Sequence, residues 1–163
     1  MKPNWMLPDI ETLTELPVSQ IAMQLHRLKR YGGAIDFSVL QHSLLVYRLA
    51  RSDDPVTLLW ALLHDVGECW IGDALKPAKQ IAGHAWSDLE QHYDKHVQRL
   101  AGITVSLAVA QRVRDADQRA CEIEMMYWNA YPFAIQNEPL RKAALAQEID
   151  WINSVDLFLK EIK

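Results

Sequence analysis

The sequence predicts an all-α fold, and three observations carry that reading. Apolar residues recur at helical spacing in one segment after another. No useful stretch alternates apolar with polar residues, and no Asn-Gly or Asp-Gly pair offers a hairpin turn. Glycine and proline fall between the periodic segments, where they punctuate rather than interrupt. With 163 residues, half of them apolar, the chain can bury a real core. Residues 1–163 are therefore read as one domain, a compact helical bundle.

Taken in order, residues 1–16 carry Pro3 and Pro8 among Thr and Glu and read as an N-terminal arm, extended or in a short turn. A helix starts near Pro17, with Ile21, Leu25 and Leu28 as its apolar stripe. Arg27, Lys29 and Arg30 close it, and Tyr31-Gly32-Gly33 breaks it. Asp36 or Ser38 caps the next helix, where Val39, Leu40, Leu44, Val46, Tyr47 and Leu49 recur. Ser52-Asp53-Asp54-Pro55 stops that helix and caps its successor. The successor is apolar almost all round, which predicts the most buried helix of the domain, ending near Gly67. Residues 71–79 read as a loop, 84–101 as a helix ended by Gly102, and 104–130 as another stopped by Tyr131-Pro132. A last helix is expected from about Glu138 to Leu159.

Composition narrows the function classes. A formal charge of −4 gives no electrostatic reason to expect a nucleic-acid polymer or a membrane surface as partner. Cys69 and Cys121 are too few for a disulfide framework, so a reduced, cytoplasmic setting is expected. The first residues lack the apolar core of a signal peptide, and no run reaches 18 apolar residues.

The chemistry gathers at His64-Asp65, where an apolar helix ends in an imidazole and a carboxylate. Adjacent helical residues point about 100° apart, so these two can share only a ligand lying between them. A divalent transition ion such as zinc, manganese or cobalt suits that donor pair. Asp is also costly to bury without a partner. More donors are then needed from elsewhere, and His42 and Asp117 are the candidates. Asp115, two residues from Asp117 and set among arginines, reads instead as a solvated charge. Glu68 lies one turn beyond His64 and could handle a water proton. As a mere charge at a helix C-terminus it would face an unfavourable dipole. Asp73, Arg30 and Lys79 are nearby groups suited to substrate or phosphate, although each alone reads equally as a surface charge. His92 and His96 form a rival pair at i, i+4, but their neighbours Glu90, Gln91, Asp94 and Lys95 make that face a wet one.

Gln41-His42-Ser43, His64-Asp65-Val66-Gly67-Glu68 and Gly72-Asp73 through Lys76-Pro77-Ala78-Lys79 resemble the HD-domain phosphohydrolases. Within them the chain is similar to the small 5′-deoxynucleotidases of the YfbR type. It is also similar to the phage dATP triphosphohydrolases of the DatZ type. The latter share the segment from Ile21-Ala22 through Arg30-Tyr31-Gly32-Gly33 to Phe37-Ser38-Val39-Leu40, and Ala116-Asp117 with Glu124 matches the family's later helix. The resemblance covers about residues 20–125, and departs from the pattern at Met23 and Ala34, where the family often has His. It implies that His42, His64, Asp65 and Asp117 hold one divalent transition metal (Zn, Co or Mn), and that Glu68 assists the attacking water. It further implies that Arg30 and Lys79 face phosphate, that Asp73 lies near the nucleotide, and that Mg can accompany the substrate phosphates. The expected function is a dATP-preferring deoxynucleoside triphosphate triphosphohydrolase. The alternatives are a 5′-deoxynucleotidase acting on monophosphates, another HD phosphodiesterase, or a helical binding module with a vestigial site. A homo-oligomer, hexamer or dimer, in the cytosol of a bacterium or a phage-infected host completes the expectation.

Overall fold

A computed structural model describes residues 6–130 and 160–162, with side chains through Met126 and at 160–162. The structure is all-α. Seven α-helices fall among the described residues: α1 (Val18–Arg27), α2 (Val39–Ala50), α3 (Pro55–Leu63), α4 (Glu68–Ile71), α5 (Lys76–Ala82), α6 (His84–Ala101) and α7 (Leu107–Ala130). Short 3-10 turns occupy Ile10–Thr12 and Arg30–Gly33. No helix among the described residues is long and apolar enough to cross a membrane. The helix expected at 138–159 lies outside the described residues.

The centre of the bundle is α2, which packs against α1, α3 and α7. All of its residues except Tyr47 and Arg48 are buried. This corrects the expectation that the helix before His64 is the most buried one. In α3 only Thr57, Trp60, Ala61, Leu62 and Leu63 are buried. The reason is that Gln41 and Ser43 are satisfied by local bonds and His42 by one at Nδ1, so these polar residues of α2 can go inside, with His42 Nε2 left over. Ser38 and Gln41 form a reciprocal capping box, with Gln41 N donating to Ser38 Oγ at 3.1 Å and Ser38 N to Gln41 Oε1 at 2.8 Å. Ser43 Oγ donates to the Val39 carbonyl at 3.1 Å.

The ends of the helices set their angles. Asp54 caps α3 by accepting from Thr57 N at 2.9 Å, with Pro55 in the first turn. Arg112 of α7 donates to the carbonyls of Ala50 at 3.0 Å and Arg51 at 2.8 Å, so α7 closes the open C-terminus of α2. Beyond that clasp, Ala116 and Ala120 are buried and small, which lets α7 lie close on α2.

Three segments differ from the sequence expectation. Residues 6–16 are not a detached arm: Leu7 and Ile10 are in the core, and Trp70 Nε1 donates to the Pro8 carbonyl at 2.9 Å. The helix carrying the His-Asp pair ends at Leu63, and the backbone turns through 64–67 before α4 begins. Only residues 72–75 of the expected loop are loop, since Lys76-Pro77 starts α5, a position that favours proline. At the turn, Gly67 is required by packing: a Cβ there would stand 2.9 Å from Tyr93 Cβ on α6.

Candidate metal centre

His42 reaches the site from the first half of α2, His64 and Asp65 from the turn after α3, and Asp117 from the middle of α7. The structure brings all four together. His42 Nε2 lies 3.0 Å from Asp117 Oδ1 and 3.6 Å from Asp65 Oδ2, and His64 Nε2 lies 3.3 Å from Asp65 Oδ2. The ligand atoms of His42, His64 and Asp117 all fall within 4.8 Å of one another. Donors held about 2.0–2.2 Å from one ion stand roughly 3–3.5 Å apart, so this spacing is that of a coordination shell.

The hydrogen bonds on the outer side of each ring decide what faces inward. His42 Nδ1 is paired with Glu124 Oε1, and His64 Nδ1 with the Ala61 carbonyl at 2.9 Å. A carbonyl can only accept, so His64 Nδ1 carries a proton, and its Nε2 faces inward, where it offers a lone pair once deprotonated. Both Nε2 atoms are buried with no hydrogen-bond partner; the nearby carboxylates are close but not aligned as acceptors. Two orphaned buried nitrogens converging on two carboxylates are costly as they stand. A divalent transition ion would satisfy all of them at once, so the residues present fit such a group.

The carboxylates around the two imidazoles favour positive charge in the cluster, and His64 is raised like His42, its burial outweighed by Asp65 and Asp117. Burial and the Arg30 charge press His42 towards neutrality, but Glu124 and Asp117 outweigh them and lift it to about 9. Burial opposes ionisation of Asp65, yet His64, His42 and Arg30 hold it below the ordinary carboxylate range. Asp117 is likewise lowered, chiefly by His42 acting against burial. Glu68 behaves oppositely: burial first, then Asp65 and Asp73, push it up to about 10, and its Oε2 has no partner. It starts α4 instead of ending a helix, so the expected clash with a C-terminal dipole does not exist.

Arg30 is buried beside the cluster, with its NH2 3.4 Å from Glu124 Oε2 and its NH1 4.0 Å from Asp73 Oδ1. Burial works against its charge, but Glu124 and Asp65 strengthen it, and its Nε has no partner. Asp73 thus sits opposite Arg30 as a second carboxylate, raised by burial and partly relieved by that guanidinium. Lys79 is not a free cation. Its Nζ meets Glu90 Oε1 at 2.7 Å, and Trp86 Nε1 donates to the same oxygen at 2.7 Å. Asp115 is exposed and accepts from Gln111 at 2.8 Å, away from the cluster.

Sequence reasoning assigned no role to three participants, although Glu124 and Tyr31 stand in the motifs that carry the resemblance. Glu124 gathers His42, Arg30 and the Tyr31 hydroxyl (2.7 Å) on one carboxylate. Its signal was its position, seven residues after Asp117 and so on the same face of α7. Tyr31 delivers its hydroxyl from a left-handed backbone, φ 55°, a conformation uncommon for a residue other than glycine. Asp94 is pushed up to about 7 by burial, with Asp65 and Glu90 adding to the effect and His64 opposing it. Its neighbours had made that whole stretch read as wet.

No family model matches the chain. A protein of Rhodobacter capsulatus, described as uncharacterized, is 28% identical over 123 residues, covering 69% of this chain and 63% of that protein. The chain therefore spans less than two thirds of the length of the curated relative it matches.

Proposed function

We propose that this protein is a metal-dependent phosphohydrolase of deoxynucleotides, cleaving the 5′ phosphoester of a deoxynucleoside triphosphate, with dATP preferred. The observation that carries the reading is the pair of buried, unpartnered Nε2 atoms of His42 and His64 facing Asp65 and Asp117. The resemblance to HD-domain phosphohydrolases supplies the substrate class. A divalent ion held by the four residues would polarise a phosphoryl oxygen and acidify a water.

The chain's own groups divide the remaining work. Arg30, fixed by Glu124, offsets charge on the phosphate as the transition state develops. Water oxygen bonds to the α-phosphorus as the P–O5′ bond breaks and a proton reaches O5′; Glu68, a neutral acid in the metal-free chain, would accept the water proton only once the charge of a bound ion has lowered it. Water is consumed, and deoxynucleoside and triphosphate leave. Asp73 faces Arg30 at the mouth of the loop and would meet the nucleotide. Magnesium riding on the phosphates and assembly into a hexamer or dimer belong to the same reading.

One observation favours a second reading. Lys79, the cation suited to a longer phosphate tail, is engaged by Glu90. With Lys79 withdrawn and Arg30 already facing Glu124, the positive charge left among the described residues suits a monophosphate better than a longer tail, and so a 5′-deoxynucleotidase. Product chromatography separates the two. Each deoxynucleoside mono- and triphosphate is incubated with manganese- or cobalt-loaded protein, together with the matching ribonucleotides. Deoxynucleoside plus intact triphosphate, fastest from dATP, is the expected result. Phosphate from monophosphates alone would establish the second reading, and no hydrolysis of any substrate would remove the substrate class.

A further inference from the structure

A second histidine cluster lies on the other side of α6. His92 and His96 are one turn apart, and helical geometry turns them away from Asp94, which faces His64. Their ring centroids are 4.8 Å apart. Glu11, from the 3-10 turn of the N-terminal segment, brings its Oε1 within 2.8 Å of His92 Nε2. Ligand atoms of the three residues lie within 4.8 Å of one another. This triad joins two elements about eighty residues apart in the chain, with a carboxylate that the spacing of the histidines alone does not reveal.

The triad is held in place on both sides. Ile10 is 1% exposed, and the turn is closed by Thr12 N and Thr12 Oγ1, which both donate to the Asp9 carbonyl. Trp70 fastens Pro8 before Glu11, and the Arg99 guanidinium donates to the Leu13 carbonyl after it, at 3.4 and 3.5 Å. Tyr93 stands edge-on to the His92 ring at 5.3 Å, which steadies its orientation. Arg99 also leans on His96 Nδ1 at 3.4 Å, a long contact that can yield because Leu13 offers the same guanidinium an acceptor.

We propose that Glu11, His92 and His96 form a surface site for a zinc-class divalent ion, which staples the N-terminal turn to α6. Two imidazoles at i, i+4 and one carboxylate give three donors of the type zinc takes, with water completing the shell. Solvent exposure and the nearby Arg99 make it weaker than the buried cluster, of which it stands independently.

The test is zinc stoichiometry on the full chain, by equilibrium dialysis of chelator-stripped protein followed by elemental analysis. H96A binds one equivalent less than the wild type, and H64N keeps the equivalent that H96A loses. E11Q retains the site with weaker affinity. Zinc slows amide exchange at residues 9–13 in the wild type and leaves H96A unchanged. Glu11 is exposed and His96 half-buried, so E11Q and H96A are expected to fold, and the far-UV circular dichroism of H64N is compared with the wild type before its zinc is counted. Equal zinc content in H96A and wild type would overturn the proposal. So would loss of the second equivalent only where zinc also dimerises the wild type on a sizing column, since the ion would then bridge two chains.

Discussion

The two walls of the buried cleft are built differently. On one wall, His42 and Asp117 come from α2 and α7, the helices locked by Arg112 and by the buried alanines. On the other, Glu68, Asp73 and Lys79 lie along α4, the 72–75 loop and α5, and α5 buries none of its residues. The first wall has its donors fixed from behind, His42 by Glu124 and His64 by a backbone carbonyl. The second is held by the half-exposed Lys79–Glu90 pair and the long Arg30–Asp73 contact at 4.0 Å, in each of which a substrate anion could take the carboxylate's place. On the proposed function this is a division of labour: the groups that would hold the ion rest on the core, and the adaptable groups would meet the substrate.

The sharpest way to break the comparison is to remove a donor from the rigid wall. H64N is expected to abolish metal binding in the cleft and reduce nucleotide hydrolysis to background, as read by metal analysis and product chromatography. Stability should divide along the same line. L62A, at a fully buried position, is expected to cost about 2–5 kcal/mol in urea unfolding. I81A, on α5 at 89% exposure, should stay within about 0.5 kcal/mol of the wild type.

Glu124 touches the ligand and not the ion, so its removal should be graded. E124Q is expected to weaken cleft metal affinity by roughly 10–100-fold while the protein stays folded, measured by competition with a chelator. A result equal to wild type would show that Glu124 only fills space beside Arg30.

Proton linkage offers a further test on the chelator-stripped chain. His42 titrates near 9 in the fold against an ordinary 6.5, and Glu68 near 10 against 4.5. Between those values the folded chain binds more protons than the unfolded one, so stability falls as pH rises. The His42 contribution is complete below 6.5 and lost as pH climbs through 9. The Glu68 contribution erodes from about 4.5 upward. Asp65, Asp117 and Glu124, held low, have the opposite sign and are lost only in acid. Urea midpoints should therefore decline from pH 6.5 to 9, and E68Q should flatten the decline. The smallest effect belongs to the adaptable wall. E90Q releases Lys79 and should lower KM for a triphosphate by roughly 2–5-fold, the scale of a part-exposed ion pair of about 0.5–1 kcal/mol.

The same contrast explains what could be read in the sequence. Helix positions and caps were legible because Ser38, Asp54, Pro55 and Gly102 act on their own neighbours. The gathering of His42, His64, Asp65 and Asp117 was legible through the costly Asp after an apolar helix and through the family resemblance. The centrality of α2 was not, because Gln41, His42 and Ser43 look like a solvent face until their internal bonds are seen. Glu90's hold on Lys79, the raised acid of Asp94 and the arrival of Glu11 beside His92 all depend on contacts between separate elements. Local spacing carries no record of those.

The most direct test of the central claim is cobalt(II) titration of chelator-stripped H96A protein beside the H64N/H96A double variant. H96A removes the surface triad, so any ion bound reports on the cleft. The account predicts one equivalent of cobalt with visible absorption bands in H96A and none in the double variant. No cobalt bound by H96A, or the same binding in both proteins, would contradict it.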